Sequence, residues 1–243
     1  MQVLSIGNSF SFDGQRYVNG IAHADGVDVQ TFNLLIGACS LEQHYRNMLS
    51  ELPAYELAMN GKGTGFKVSI KDALLSRAWD VVTVQQNSAN SFNYDTYQPY
   101  LNALVDYVRH CCPKTKIVLH QTWAYNPTCV FVNPGGRFDT HQAMFSAAKA
   151  AYDLAAAEIK SDKLIPSGAV FQELVAAGET VHRDTVHASL GIGRYALGLI
   201  WYAVLTGRDI ANNTFCDFDQ PITPEQMQKA KACVKAVYEQ YYG

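Results

Sequence analysis

Two short segments of the 243-residue chain hold residue types that could act together as a nucleophile and a base. Ser9 follows an apolar run and Gly7, so its hydroxyl should lie at the carboxyl end of a strand, just before a helix. Far downstream, Asp184 precedes His187 by three residues, and an aspartate at this spacing can accept the Nδ1–H of the imidazole. The other ring nitrogen is then free to take a proton from a serine hydroxyl.

Each segment also has an ordinary structural interpretation. Ser, Asn and Asp are the common helix-capping residues, so Gly-Asn-Ser alone indicates only a helix start. A lone Asp-x-x-His is more often a surface histidine beside a capping aspartate. His182, Asp184 and His187 could be metal ligands, but their spacing is poor and the sequence offers no evident fourth ligand. The combination of the two segments favours catalysis, and we expect neither a metal nor a cofactor.

The elements that must position these residues follow from the hydrophobic pattern. Apolar runs bounded by turn residues alternate with stretches of helical period, as in repeated βα units around a parallel sheet. Strands are predicted over residues 3–6, 27–36, 81–85, 116–121 and 164–166, with a hairpin inserted over residues 55–69. Helices are predicted over residues 14–24, from residue 40, and over 97–110, 139–159, 168–177, 189–206 and 224–242. The predicted fold class is α/β, a three-layer α/β/α sandwich with a central, mainly parallel sheet.

Composition limits the other possibilities. With 48% apolar and 17% charged residues the chain is typical of a globular protein, and its length fits a single domain over residues 1–243. A net charge of −3 without a basic run argues against nucleic acid, and no apolar run is long enough to span a membrane. We expect no signal peptide, because the sequence leaves no room for one before the first predicted strand. The six cysteines show no metal-site pattern and are expected to be free thiols. Both features predict a cytoplasmic protein, or an exported one whose signal was trimmed.

The chemistry-bearing segments resemble the SGNH hydrolases in order and position over residues 3 to about 206. That family has a Gly-Asp-Ser-like turn, a glycine after the second strand, an Asn-bearing turn after the third and a late Asp-x-x-His. The chain is most similar to a largely uncharacterised bacterial branch whose first block reads Gly-Asn-Ser-Phe-Ser. The branch motifs correspond to Gly7 to Ser11, Gly37 to Glu42, Gln85 to Ser88, Thr122 to Tyr125 and His187 to Tyr195.

The resemblance implies a flavodoxin-like SGNH hydrolase fold and roles for individual residues. Ser9 would be the nucleophile, His187 the base and Asp184 its partner. The oxyanion would be bound by the backbone N–H groups of Ser9 and Gly37 and by a side-chain amide. The third block lacks the family's Gly-x-Asn-Asp, so two amides compete for the last role, and we expect Gln86 first and Asn87 second. Substrate contacts are expected from Asn8, Ser88, Trp123 and Tyr125, with the two aromatic residues as a possible sugar-stacking platform.

The predicted function is hydrolysis of a short acyl ester, by analogy an O-acetyl group on a carbohydrate. A lipase or thioesterase acting on another acyl substrate is the alternative within the same chemistry. A loop of this kind after the first strand could instead bind the phosphate of a flavin, and the chain could also be a sugar-binding module without catalytic activity. The expected partner is a small-molecule or carbohydrate ester, and the sequence gives no indication of oligomeric state.

Overall fold

A seven-stranded sheet forms the centre of the molecule in the computed structural model, which describes residues 1–243. The strands, in chain order, are β1 (Gln2–Gly7), β2 (Gln30–Leu35), β3 (Tyr55–Met59), β4 (Lys62–Val68), β5 (Val81–Val84), β6 (Lys116–His120) and β7 (Lys163–Ile165). Their order across the sheet is β4-β3-β2-β1-β5-β6-β7. Strands β2, β1, β5, β6 and β7 are parallel neighbours, whereas the β3–β4 hairpin adds two antiparallel strands at one edge.

Helices cover both faces of this sheet. They are α1 (Ser9–Gln15), α2 (Val18–Ala24), α3 (Leu41–Ser50), α4 (Ile70–Leu75), α5 (Tyr100–Cys111), α6 (His141–Glu158), α7 (Ser167–Ala176), α8 (Ile192–Thr206) and α9 (Pro224–Tyr242). One apolar cluster packs mainly α1, α2, α7, α8 and α9 on one face, and a second packs mainly α3, α4 and α5 on the other, with α6 contributing to both. The fold is therefore the three-layer α/β/α sandwich with a mainly parallel sheet.

The central strand β1 shows why its sequence is mostly apolar. Val3 belongs to the cluster on one face, whereas Leu4 and Ile6 belong to the cluster on the other. Successive strand side chains point to opposite faces, so a strand covered on both sides buries all its side chains, and the buried hydroxyl of Ser5 is satisfied by Thr83 Oγ1 at 2.6 Å. This burial fixes the register of β1 and brings its carboxyl end to the edge of the sheet where Ser9 follows.

The structure differs from the predicted elements at a few boundaries. The helix predicted over residues 14–24 is two helices, α1 and α2, and the first begins earlier, at Ser9. The short helix α4 was not predicted, although Ser69 and Asp72 form a capping box at its start. At 6 residues it is too short to establish a helical period in the sequence. All six cysteines are free thiols, and no helix has both the length and the apolar character that a membrane span requires.

Candidate active site

Ser9 is placed by the tight turn from β1 into α1. A Cβ on Gly7 would lie 2.1 Å from the Ser11 Oγ atom, so this turn requires glycine. Asn8 caps α1, because its Oδ1 atom accepts the Phe10 N–H at 2.9 Å. Ser9 is then the first residue of the helix, half-buried, and its Oγ atom lies 3.0 Å from His187 Nε2.

His187 is held between Ser9 and Asp184. Its Nδ1 atom lies 2.9 Å from Asp184 Oδ2, while Nε2 faces Ser9 Oγ. The loop that carries both residues, 178–191, runs from α7 to α8 and closes on itself through a bridge between His182 and Ala188. Hydrogen bonds thus join Ser9, His187 and Asp184, the three residues that the sequence indicated, although Ser9 and His187 are 178 residues apart in the chain.

Asp184 is held in its charged form by its own loop. Burial acts to raise the pKa of this carboxyl group, but the backbone N–H groups of His187 and Val186 and the His187 imidazole lower the pKa to about 2. The two N–H groups donate to Oδ1 at 2.7 and 2.8 Å, which leaves Oδ2 for the imidazole. A carboxylate at this position fixes the ring and favours the tautomer with its proton on Nδ1, so that Nε2 can accept a proton.

Ser9 and His187 line a cleft with a volume of about 450 Å³. The other residues of the cleft come from the turn after β1, the turn before α3, the turn after β5 and two loops: Asn8, Phe10, Gly37, Ala38, Asn87, Ser88, Ala89, Tyr125 and Val186. The backbone N–H groups of Ser9 and Gly37 make no hydrogen bond within the protein backbone. Free N–H groups beside a serine hydroxyl can bind the oxyanion that forms when an ester carbonyl is attacked.

The third block places Asn87, and not Gln86, in this cleft. Gln86 is 1% exposed, and its Nε2 atom donates to Thr96 O at 2.9 Å and to Thr96 Oγ1 at 3.2 Å. Both N–H bonds of this amide are therefore used away from the cleft. Asn87 lines the cleft and donates one N–H from Nδ2 to Ala38 O at 2.9 Å, which leaves its second N–H free. The sequence favoured Gln86 over Asn87 as the side-chain donor to the oxyanion, whereas the geometry favours Asn87.

Gln86 instead positions its neighbours. Its Oε1 atom accepts the backbone N–H of Asn87 at 2.9 Å and that of Leu41, the first residue of α3, at 3.0 Å. These bonds join the turn after β5 to the start of α3, just beyond the turn that contains Gly37. Ala38, in that turn, adopts a left-handed backbone conformation with φ of 55°, and its carbonyl oxygen receives the Asn87 amide.

Trp123 is not a substrate platform, because the structure buries it completely. Its ring stacks on Phe10 with ring centroids 4.1 Å apart, and its Nε1 atom donates to the Val186 carbonyl oxygen at 2.8 Å. Phe10 follows Ser9 and Val186 precedes His187 in the chain. Trp123 therefore supports from beneath the two segments that carry the serine and the histidine.

The remaining residues predicted to contact the substrate differ in whether their polar atoms are free to bind a molecule in the cleft. Asn8 borders the cleft but is 1% exposed, and its amide is engaged with Phe10 N–H, Gln85 Nε2 and the Cys39 carbonyl oxygen. Ser88 and Tyr125 are half-buried cleft residues with their hydroxyl oxygens 3.4 Å apart. Of the four predicted contacts, these two present hydroxyl groups to a molecule in the cleft.

A buried ionic network, which the sequence did not indicate, supports the histidine loop. Asp13 of α1 is fully buried and accepts hydrogen bonds from the guanidinium groups of Arg183 and Arg194 at 2.8 to 3.0 Å and from Ala188 N–H at 3.2 Å. Arg194, the first-turn arginine of α8, also pairs with Asp219 at 2.6 Å. The helix that begins with Ser9 is thereby tied to the residue that follows His187.

The cleft offers no set of metal ligands. No group of three or more His, Cys, Asp or Glu side chains is arranged to hold a metal ion. His182, the third member of the candidate metal set, is buried with Nε2 3.0 Å from the Ala124 carbonyl oxygen, an acceptor that requires a proton on this nitrogen.

Known structures share this fold. A protein provisionally described as an SGNH hydrolase, from Slackia heliotrinireducens, superposes with a TM-score of 0.59 at 21% identity over 84% of this chain and 98% of its own. A member of the lipolytic G-D-S-L family from Veillonella parvula superposes with a TM-score of 0.54 at 13% identity over 85% of this chain and 98% of its own. The α/β sandwich is therefore the fold of SGNH and GDSL-like hydrolases. No curated protein matches the chain in sequence.

A much closer similarity identifies the family. The crystal structure of a DUF4886 family protein from Bacteroides uniformis superposes with a TM-score of 0.90 at 32% identity, covering 99% of this chain and 95% of that one. The family model for a domain of unknown function, DUF4886, matches residues 2–236. The chain belongs to the DUF4886 family.

Proposed function

We propose that the protein is a serine ester hydrolase in which Ser9, His187 and Asp184 act as nucleophile, base and orienting acid. The observation that carries this proposal is the chain of hydrogen bonds from Asp184 through His187 to Ser9, at 2.9 and 3.0 Å, at the edge of an open cleft. The fold shared with SGNH and GDSL-like hydrolases supports the same class of reaction. By its first block, Gly-Asn-Ser-Phe-Ser, we assign the chain to the bacterial branch of that superfamily whose members share this motif.

The reaction proceeds by acyl transfer to Ser9. The Oγ atom attacks the ester carbonyl carbon while His187 Nε2 takes the hydroxyl proton, and the imidazolium then returns that proton to the leaving alcohol oxygen. A water molecule, deprotonated by the same nitrogen, hydrolyses the acyl-serine. Asp184 keeps its negative charge throughout and stabilises the imidazolium.

The oxyanion is bound by three N–H groups in this proposal. Two are the backbone N–H groups of Ser9 and Gly37, which are free in the structure. The third is the Asn87 side-chain N–H that does not bond to Ala38. The first turn of α1 adds the positive end of the helix dipole at the same place.

The substrate we propose to test first is a short acyl ester, such as an O-acetyl group on a carbohydrate. Ser88 and Tyr125 supply hydroxyl groups for a polar alcohol, but the burial of Trp123 removes half of the expected aromatic platform. A second candidate, an ester with a larger apolar group, is favoured by a specific observation: an aromatic cavity adjoins the cleft at Ala89 and Tyr125.

Hydrolysis of p-nitrophenyl acetate by matched serine variants tests the proposal. Ser9→Ala should lower kcat/KM by on the order of 10⁴-fold or more, because the nucleophile and its base act as a unit. Ser146→Ala, which removes an exposed hydroxyl on α6, should leave the rate unchanged. Circular dichroism verifies that all three proteins are folded. Equal rates for wild type and Ser9→Ala would refute the proposal.

A further inference from the structure

A second cavity, of about 140 Å³, opens beside the cleft and is walled by the loop between β6 and α6. Its lining is almost entirely apolar: Phe92, Phe131, Phe138 and Met144, with the ring of Tyr125. Ala89 and Tyr125 border both this cavity and the cleft that contains Ser9. The cavity therefore adjoins the cleft that contains Ser9 at these two residues.

The aromatic walls are ordered by contacts with one another. The rings of Phe92 and Phe138 meet edge to face with centroids 4.9 Å apart, and those of Tyr125 and Phe131 meet at 6.3 Å. Phe138 N–H donates to the Phe131 carbonyl oxygen at 2.9 Å, which closes the loop that carries both residues. These contacts hold the aromatic walls of the cavity to one another.

The same loop is anchored to the segment that carries His187. The Asn126 N–H donates to the Thr185 carbonyl oxygen at 2.9 Å, two residues before the histidine. On the opposite side, the Ser88 hydroxyl lies 3.4 Å from the Tyr125 hydroxyl. The cavity therefore keeps a fixed position relative to the reacting atoms.

We propose that this aromatic cavity is the specificity pocket of the enzyme and that it takes an apolar group of about six carbon atoms from the ester substrate. The inference rests on the proposed hydrolysis at Ser9. An apolar protein cavity of about 150 Å³ binds benzene, which sets the size of the group. Arg137 is the one charged residue in the lining. Its guanidinium carbon lies 4.5 Å from the centre of the Phe92 ring, at the rim of the cavity. The apolar group enters either as the acyl chain or as the alcohol of the ester.

Two ester series distinguish these sources. In the first, p-nitrophenyl esters run from acetate to octanoate; in the second, acetates run from ethyl to hexyl. In the series whose varied part enters the pocket, kcat/KM rises by about two- to fourfold per methylene group up to about six carbons. A rise in either series that depends on Phe131 supports the pocket, whereas flat profiles in both series would overturn it.

Matched phenylalanine variants assign the effect to this cavity. Phe131 is 53% exposed, so Phe131→Ala leaves the core intact and should lower kcat/KM for the six-carbon ester by about tenfold while changing that for p-nitrophenyl acetate little. Phe66 of β4, 70% exposed and outside both cavities, supplies the control Phe66→Ala with no change. Ala89→Leu narrows the border between the cleft and the cavity, so it should also lower kcat/KM for the six-carbon ester more than for p-nitrophenyl acetate. In the series that responds to chain length, an equal loss for the shortest and the six-carbon ester in Phe131→Ala would contradict a pocket role.

A binding measurement separates this inference from the proposed reaction. Separate titrations of hexyl acetate and ethyl hexanoate into Ser9→Ala protein by calorimetry should detect binding of at least one of the two esters, and adding Phe131→Ala should weaken that binding by about tenfold. If wild type hydrolyses no ester but this binding is present, the proposed function fails and the pocket stands. If esters are hydrolysed but neither hexyl acetate nor ethyl hexanoate binds, the pocket is wrong.

Discussion

The reactivity proposed for Ser9 depends on residues that lie one or two positions away from alternatives of the same chemical type. Asn87 lines the cleft with a free N–H, whereas Gln86, its neighbour, uses both N–H bonds on Thr96. Tyr125 faces the cleft, whereas Trp123 is buried beneath it. The direction in which each side chain leaves the backbone therefore determines whether it reaches the cleft.

Asn87→Ala should lower kcat for p-nitrophenyl acetate by about 10²–10³-fold, because one donor to the oxyanion is lost. KM should change little, since the neutral ester in the ground state gains less from this donor than the oxyanion does. Asn93→Ala, which removes an exposed amide outside the cleft, is the control. A kcat of Asn87→Ala within twofold of the wild-type value would exclude the side chain from the oxyanion site.

Asp184 should make the folded state sensitive to acid. Its pKa of about 2 lies below the ordinary 3.8, so the unfolded chain binds this proton more readily than the folded protein does. The contribution to stability is complete above about pH 4 and is lost as the pH falls toward 2. Because the side chain is 49% exposed, solvent screening limits that contribution to below about 1 kcal/mol.

Urea unfolding of wild type and Asp184→Asn between pH 2 and pH 6 measures this contribution. Wild type should be the more stable protein at pH 6, and the difference in unfolding free energy should shrink below about pH 4. A difference that stays constant over the whole range would show that the carboxylate charge does not stabilise the loop.

At the scale of elements, the site is assembled by contacts between segments that are distant in sequence. Asp13 of α1 joins Arg183 of the histidine loop to Arg194 of α8, and Trp123 lies under both Phe10 and Val186. These contacts set the position of one loop relative to one helix. The Ser9 to His187 distance is therefore a property of α1, α8 and the loop together.

Asp13→Ala should destabilise the protein by about 3–5 kcal/mol, because it removes a fully buried carboxylate that pairs with both Arg183 and Arg194 and leaves the Arg194 guanidinium, 10% exposed, with Asp219 alone. The free energy of unfolding in urea measures the loss. Glu42→Gln, which breaks the exposed pair with Arg46 on α3, is the control and should cost below about 1 kcal/mol. Equal losses in the two variants would show that the network contributes no more than a surface ion pair.

At the scale of the whole molecule, the fold class and the positions of most strands along the chain could be predicted from the sequence. Residues 3–6, apolar except for Ser5, indicate a strand covered on both faces, and the structure buries β1 in this way. The alternation of apolar runs and helical periods predicted the remaining layers. These are local signals, and each lies within about ten residues of sequence.

The choice between neighbouring residues could not be predicted. The strand predicted over residues 81–85 ends at Val84, and the turn that follows determines that Asn87 rather than Gln86 enters the cleft. No period in the sequence specifies how a chain leaves a strand. The pairing of Asp13 with Arg194 across 181 residues was likewise invisible, because one sequence does not show which distant charges meet.

Covalent labelling measures whether the Ser9 hydroxyl is activated by His187. Wild type treated with a fluorophosphonate should gain one adduct, located by peptide mass spectrometry on Ser9, because only a serine paired with a base reacts readily with such a reagent. His187→Ala should react at least about 10²-fold more slowly. An adduct on a different serine, or labelling of Ser9 at the same rate in wild type and His187→Ala, would contradict the account.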